Sequence, residues 1–218
     1  MKRITLFAGH YGSGKTNIAV NYAVDLCDKG LPVMIADLDI VNPYFRTKDS
    51  SELLEQKGIE LISPEFANTN VDLPALPQEL YRTVEQTDKY AVMDIGGDDR
   101  GAYALGRYTP SILEENNFQM LFVANFYRPL TRTAEEALEV MREIEAAGGL
   151  PFTGIVNNSN IGVDTTPDDV LATVSEAERL SSISGLPIIM TTAETKVAGG
   201  LMARMENVFP LKLQSKIF

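Results

Sequence analysis

The chain has 218 residues, 44% hydrophobic and 22% charged, which is ordinary for a globular protein and predicts one domain over residues 1–218. Its net charge of −11 argues against a nucleic-acid partner, which would require a cationic surface. The single cysteine excludes an internal disulfide, and no apolar run reaches the length of a membrane span, so a cytoplasmic protein without a membrane segment is expected.

Apolar runs alternate with helical patterns along the whole chain. Seven runs are continuously apolar, as expected of parallel strands covered on both faces. The predicted strands are 4–9, 32–38, 59–63, 90–95, 119–125, 152–158 and 187–192. The predicted helices are 15–29, 49–57, 77–87, 100–116, 131–147, 167–184 and 194–206. This alternation predicts an α/β fold of three layers, a mostly parallel twisted sheet with helices on both faces, and a surface excursion at 63–78.

The first predicted strand runs into residues 9–16, GHYGSGKT, which fit the phosphate-loop pattern G-x-x-x-x-G-K-[ST] in full. Gly12 and Gly14 let backbone N–H groups converge on phosphate oxygens, and the helix N-terminus adds partial positive charge. Lys15 is predicted to neutralise the β- and γ-phosphates, and the Thr16 hydroxyl to bind Mg²⁺. The predicted nucleotide contacts here are Gly9, Tyr11, Gly12, Ser13, Gly14, Lys15, Thr16 and Asn17.

Acidic residues follow two further predicted strands. Asp37 and Asp39 end one strand, and Asp94 ends another that continues into Gly96 and Gly97. Because ligands of wound α/β sheets bind beyond the carboxyl ends of the strands, these acids should face the phosphate loop. Asp94 is predicted to hold Mg²⁺, and the Gly97 N–H to meet the γ-phosphate and move when it leaves. Asp37 either lies in the outer shell of Mg²⁺ or makes structural hydrogen bonds.

Four segments together resemble the MinD/ParA/CobQ-type ATPases of the SIMIBI class of P-loop NTPases: GHYGSGKTNIAVNYA, IADLDIVNP, AVMDIGGDD and GIVNNSN. The resemblance implies a P-loop NTPase fold, Mg²⁺-dependent ATP hydrolysis, and a protein partner or nucleotide-dependent homodimer. It implies that Asp39 positions the attacking water and that Asp94 is the Walker B acid. Lys15 of the phosphate loop is the other predicted catalytic residue. Asn158 best matches the asparagine that reads the adenine edge, with Asn157 as second candidate. The sequence contains no N-K-x-D guanine motif, which favours ATP over GTP.

The chain departs from this family at His10, where ParA-type loops carry a signature lysine that reaches the phosphates of a dimer partner. An imidazole is shorter than a lysine side chain and is not a permanent cation, so lysine-bridged dimerisation is not expected. His10 is predicted to be a passive loop side chain, with a hydrogen bond from its ring to a phosphate as the alternative. Arg46 and Arg100 are candidates for γ-phosphate contacts, in cis or from a neighbour, although ordinary surface positions are favoured for both.

Three functions fit these residues. The leading hypothesis is a Mg-ATP-hydrolysing switch protein of MinD/ParA type. The second is an ATP-dependent small-molecule transferase or ligase of the dethiobiotin synthetase/CobB kind, in which 63–78 and 100–107 would line a substrate pocket. The third is a nucleotide-binding scaffold with negligible turnover.

Overall fold

The structure, a computed structural model, describes residues 1–39, 48–63, 78–97 and 99–213. Across these residues eight strands form one sheet in the order β3-β2-β4-β1-β5-β6-β7-β8, and every neighbouring pair is parallel. The strands are β1 (Ile4–Ala8), β2 (Val33–Leu38), β3 (Glu60–Ile62), β4 (Tyr90–Ile95), β5 (Phe118–Ala124), β6 (Gly154–Asn157), β7 (Ile188–Glu194) and β8 (Val208–Leu211).

Helices connect the strands. They are α1 (Lys15–Asp28), α2 (Lys48–Gln56), α3 (Arg82–Glu85), α4 (Asp99–Gly106), α5 (Thr109–Glu115), α6 (Ala134–Gly148), α7 (Pro167–Leu171), α8 (Val174–Ser184) and α9 (Thr195–Met202), with a 3₁₀ turn at Gln78–Tyr81. None of the helices within the described ranges is long and apolar enough to cross a membrane.

The sheet is covered on both faces because successive strand residues point to opposite sides. Leu6 joins the buried cluster that packs α4, α5, α6 and α8 against one face. The next residue, Phe7, joins the cluster that packs α1 and α2 against the other face. The predicted three-layer α/β fold is therefore confirmed, and its parallel sheet aligns the carboxyl ends of the strands along one edge.

Each of the seven predicted strands is present, and the structure adds β8, which was not predicted. This strand is short and contains Pro210, which breaks the apolar pattern expected of a strand. An edge strand tolerates proline because its outward N–H needs no partner in the sheet, and β8 pairs only with β7 among the described strands.

Three predicted helices are each divided in the structure. The predicted helix 77–87 is the 3₁₀ turn Gln78–Tyr81 followed by α3. The predicted helix 100–116 is α4 and α5, and α5 starts afresh with Pro110 in its first turn, where proline fits best. The predicted helix 167–184 is α7 and α8. Residues 64–77 of the predicted surface excursion lie outside the described residues.

Candidate nucleotide-binding site

The phosphate loop, residues 9–16, curls between β1 and α1. Gly14 precedes α1 with φ +91°, a left-handed conformation that favours glycine, and a Cβ there would collide with the Asn158 amide. The Ser13 N–H donates to the His10 carbonyl at 3.2 Å and closes the turn. The loop therefore presents its backbone at the start of a 14-residue helix, which is the arrangement that binds phosphate.

Strand register brings an acid directly behind this loop. β1 and β2 both pair with β4, and Phe7 and Asp37 lie opposite Asp94. The Thr16 hydroxyl donates to Asp94 Oδ2 at 2.5 Å. Lys15 is buried, and its Nζ donates to the His10 carbonyl at 3.3 Å. The predicted catalytic lysine, the metal-binding hydroxyl and the Walker B acid are thus brought together.

The Asp94 carboxyl group is only 1% exposed, and its Oδ1 has no hydrogen-bond partner among the described residues. Burial raises the pKa of Asp94 to about 6; Lys15 and Thr16 lower it, and Asp39 raises it further. A buried oxygen without a partner is costly in a folded protein unless a ligand satisfies it. A hard cation such as Mg²⁺ prefers oxygen ligands, so the Thr16 hydroxyl and the Asp94 carboxylate fit it chemically.

The two acids at the end of β2 lie in different environments. Asp37 is fully buried, and its Oδ1 accepts a hydrogen bond from the Asp39 N–H at 2.8 Å. This contact holds the chain as it leaves β2 and fits the structural alternative for Asp37, while its place in the outer shell of Mg²⁺ stays a prediction. Asp39 is only partly buried and lines the cavity beside the loop. Its carboxylate can therefore face a ligand, while Asp37 supports the backbone beneath it.

Gly97 lies against the phosphate loop. A Cβ added to Gly97 would be 2.7 Å from the Tyr11 nitrogen and 2.8 Å from Lys15 Nζ, both closer than a real methyl group can approach. The segment after β4 therefore touches the loop through bare backbone, and only glycine permits this contact. This position suits the predicted role in which Gly97 meets the γ-phosphate.

A cavity of about 490 Å³ extends from the phosphate loop across the carboxyl ends of β6, β7 and β8. This volume is in the range of small-molecule sites. Its phosphate end includes Tyr11, Gly12, Gly14, Lys15, Thr16, Asn17 and Asp39. Its far end includes Asn160, Thr165, Thr192, Glu194, Leu211 and Leu213. One end of the cavity is thus glycine-rich and includes Lys15.

The fold of this chain is similar to that of solved structures. No family model and no curated protein matches the sequence. Among solved structures, chloroplast FtsY from Physcomitrella patens superposes with a TM-score of 0.60 at 16% identity, covering 88% of this chain and 58% of its own. The cell division protein FtsY from Thermotoga maritima gives 0.60 at 16% identity, covering 88% and 62%. The signal recognition particle receptor FtsY from Elizabethkingia anophelis, in complex with GDP, gives 0.52 at 15% identity, covering 88% and 57%.

The chain has a P-loop NTPase fold. It spans less than two thirds of the length of these three FtsY structures. At 15–16% identity the likeness is one of fold.

In this P-loop NTPase fold, Asn157 and Asn158 lie at the end of β6. Their side chains form hydrogen bonds with other residues of the protein. Asn158 Nδ2 donates to the Ser13 carbonyl at 2.6 Å, and its Oδ1 accepts from the Thr192 hydroxyl at 2.6 Å. Asn157 is fully buried, and its Nδ2 donates to the Thr173 hydroxyl at 3.1 Å. Asn158 lines the cavity and supports the phosphate loop through its hydrogen bond to the Ser13 carbonyl. The contact of either amide with an adenine edge stays a prediction.

The remaining residues that the sequence analysis singled out lie at several places around the phosphate loop or outside the described residues. Gly9 packs against β5, where an added Cβ would be 2.5 Å from the Val123 carbonyl oxygen. Tyr11 is exposed at the rim of the cavity. His10 Nδ1 lies 3.0 Å from the Tyr11 carbonyl oxygen. Arg46 and the side chain of Arg100 lie outside the described part of the chain.

Arg128 was not among the predicted site residues, although it lines the cavity beside Gly12. It lies four residues beyond the end of β5, in the loop before α6. The rule that ligands bind at the carboxyl ends of strands points to this loop. The sequence pattern alone does not indicate which residue of such a loop faces the site.

Proposed function

We propose that this protein is a Mg²⁺-dependent ATP-binding and ATP-hydrolysing switch protein of the MinD/ParA type, within the SIMIBI class. The observation that carries the proposal is the contact of the Thr16 hydroxyl with the buried Asp94 carboxylate, next to Lys15 on the phosphate loop. These groups supply the phosphate cradle, the permanent cation and the metal ligands that phosphoryl transfer requires.

Each residue of the site would act through position and charge. The loop N–H groups and Lys15 would hold the β- and γ-phosphates. Bound Mg²⁺, held by Thr16 and Asp94, would supply positive charge that neutralises phosphate oxygens. Asp39 would orient the attacking water, because it lines the cavity just beyond the end of β2. Gly97 would sense the γ-phosphate through its backbone, next to Lys15 Nζ.

ATP is the proposed nucleotide because the sequence lacks the N-K-x-D motif for guanine. GTP is the alternative, since the FtsY structure from Elizabethkingia anophelis contains GDP. Titrating ATP and GTP separately into the same protein by calorimetry distinguishes the two. Tighter binding of GTP would reject ATP as the substrate while leaving the phosphate-binding role of the loop in place.

Asp39→Ala is expected to separate binding from turnover. The carboxylate contributes to the transition state by placing water and adds little to ground-state affinity. Steady-state phosphate release should fall at least tenfold, equal to about 1.4 kcal/mol of transition-state stabilisation, while ATP affinity stays within about twofold. Asp25→Ala is the matched control, because Asp25 lies on α1 in a surface ion pair with Lys29.

The Asp39 experiment also tests the competing functions. Parent-level phosphate release by Asp39→Ala would show that another residue places the water. Tight ATP binding by the wild-type protein without phosphate release would instead support a nucleotide-binding scaffold. Phosphate release that requires an added metabolite would support a small-molecule transferase or ligase.

Gly97→Ala should reduce turnover through a steric effect. The added methyl group would meet the Tyr11 backbone and Lys15 Nζ, so the segment after β4 must move away from the phosphate loop. We expect phosphate release to fall about tenfold or more, because a small displacement of a positioning group is costly in catalysis. Gly106→Ala is the control, since a Cβ there has its nearest neighbour at 3.9 Å. Equal rates for the two variants would contradict the close contact of Gly97 with the loop.

A further inference from the structure

Arg128 lies beside the phosphate loop, in the segment between β5 and α6. Its side chain is exposed and lines the cavity. A Cβ built on Gly12 would lie 4.0 Å from Arg128 Nε. The Arg128 side chain therefore lies next to Gly12, on the loop that is proposed to cradle phosphate.

The backbone beneath Arg128 is held in place by buried groups. The Asn125 carbonyl accepts the Arg128 N–H at 3.0 Å and the Thr131 hydroxyl at 2.8 Å. Asn125 and Thr131 are both fully buried. The Thr131 N–H in turn donates to the Arg128 carbonyl at 3.3 Å. Arg128 thus projects from a closed turn, so its Cα has a defined position relative to the sheet edge.

The same turn is joined to the residues behind the phosphate loop. Asn125 Oδ1 accepts from the Asn160 N–H at 3.4 Å, and the Ser159 hydroxyl accepts the Phe126 N–H at 3.1 Å. The neighbouring Asn158 bonds the Ser13 carbonyl of the loop. These contacts connect the Arg128 turn to the loop through the end of β6, so hydrogen-bonded segments set the position of the Arg128 backbone relative to the phosphate loop.

The charge balance of the site calls for a second cation. Lys15 and Arg128 are the two basic residues among the described residues that line the cavity, which Asp39 and Glu194 also line. Asp37 and Asp94 lie just behind the loop. A bound triphosphate would add further negative charge next to these carboxylates. An arginine guanidinium suits phosphate because its planar fork can donate two parallel hydrogen bonds.

We propose that Arg128 is a second cationic contact for the phosphates of the bound nucleotide, provided by the same chain. The inference rests on the proposed function of the site. The exposed Arg128 side chain already lies beside Gly12, so it can turn toward phosphates bound on the loop. A cation within the chain also means that phosphate neutralisation needs no residue from a dimer partner.

The test compares Arg128→Gln with Arg132→Gln by calorimetry, using Mg-ATP, Mg-ADP and AMP as ligands. Arg132 is the matched control, an exposed arginine of the same segment outside the residues that line the cavity. Arg128→Gln should weaken ATP binding about tenfold, as expected for loss of a hydrogen bond to a charged group. The loss should diminish from ATP to ADP to AMP, and Arg128→Lys should recover part of it. Arg132→Gln should bind all three like the parent.

A purely structural role for Arg128 would weaken all three ligands equally, so an equal loss would overturn the inference. Circular dichroism during heating checks that each variant is folded. If the parent binds ATP and Lys15→Ala weakens that binding, but Arg128→Gln matches Arg132→Gln, the role of Arg128 is wrong and the proposed function stands. If the parent binds no nucleoside triphosphate, both the proposed function and the role of Arg128 are wrong.

Discussion

Lys15→Ala is expected to weaken Mg-ATP binding roughly tenfold to a hundredfold. Lys15 is the permanent cation of the phosphate loop, and it is buried with its Nζ 3.3 Å from the His10 carbonyl oxygen. A hydrogen bond to a charged group contributes about 1.5–3 kcal/mol, which corresponds to this range of affinity. Calorimetric titration of the variant and the parent with Mg-ATP measures the difference directly.

Lys29→Ala is the matched control for this experiment. Lys29 follows the end of α1 and pairs with Asp25 on the surface, away from the loop. Its removal takes the same charge from the protein but should leave ATP affinity unchanged. Equal affinity for Lys15→Ala and the parent would reject the phosphate-loop assignment.

Asp94→Asn is expected to have two opposite effects. In the presence of a chelator the variant should be more stable than the parent above pH 6, while the Mg²⁺ dependence of its ATP binding should be lost. The second effect follows because an amide oxygen is a weaker ligand than a carboxylate for a hard cation. Thermal unfolding and calorimetry with and without Mg²⁺ measure the two effects.

The stability effect follows from the pKa of Asp94, which burial raises from 3.8 to about 6. Because the folded-state pKa is above the unfolded-state value, the group favours the fold most at low pH. The parent should lose this contribution as pH rises from about 4 through 6, up to about 3 kcal/mol in total. The asparagine does not titrate, so it avoids this loss. Its buried N–H group, however, lowers the stability of the fold by about 1–2 kcal/mol.

Asp168→Asn, a change at an exposed aspartate on α7, is the control and should leave both measurements unchanged. If Asp94→Asn is less stable than the parent at pH 8 in chelator, the buried carboxylate is stabilised by the protein alone. That result would contradict the inference that the Asp94 carboxylate needs a metal ion as its partner.

The core of the site could be predicted from the sequence because its pieces are local and lie at strand ends. The phosphate loop is one continuous segment, and Asp94 ends a strand with a clear apolar pattern. Parallel strands bring their carboxyl ends to one edge, so the meeting of Thr16 and Asp94 follows from the fold class. The register that sets Asp37 opposite Asp94 needed the structure.

Other features depend on contacts between distant segments, which a sequence pattern does not carry. Arg128 reaches the site through a turn fixed by Asn125 and Thr131, and neither residue marks that turn as part of a nucleotide site. Asn158 bonds a carbonyl 145 positions away in the chain. The strand β8 was missed because Pro210 interrupts its pattern, and an edge strand needs no unbroken apolar run.

A crystal structure with a non-hydrolysable ATP analogue and Mg²⁺ tests the central claim most directly. We expect the triphosphate to lie along residues 9–16 with Lys15 Nζ on its phosphate oxygens. Mg²⁺ should lie about 2.0–2.1 Å from the Thr16 hydroxyl, with Asp94 holding it directly or through water. An analogue bound elsewhere on the protein, with no metal next to Thr16 and Asp94, would contradict the claim.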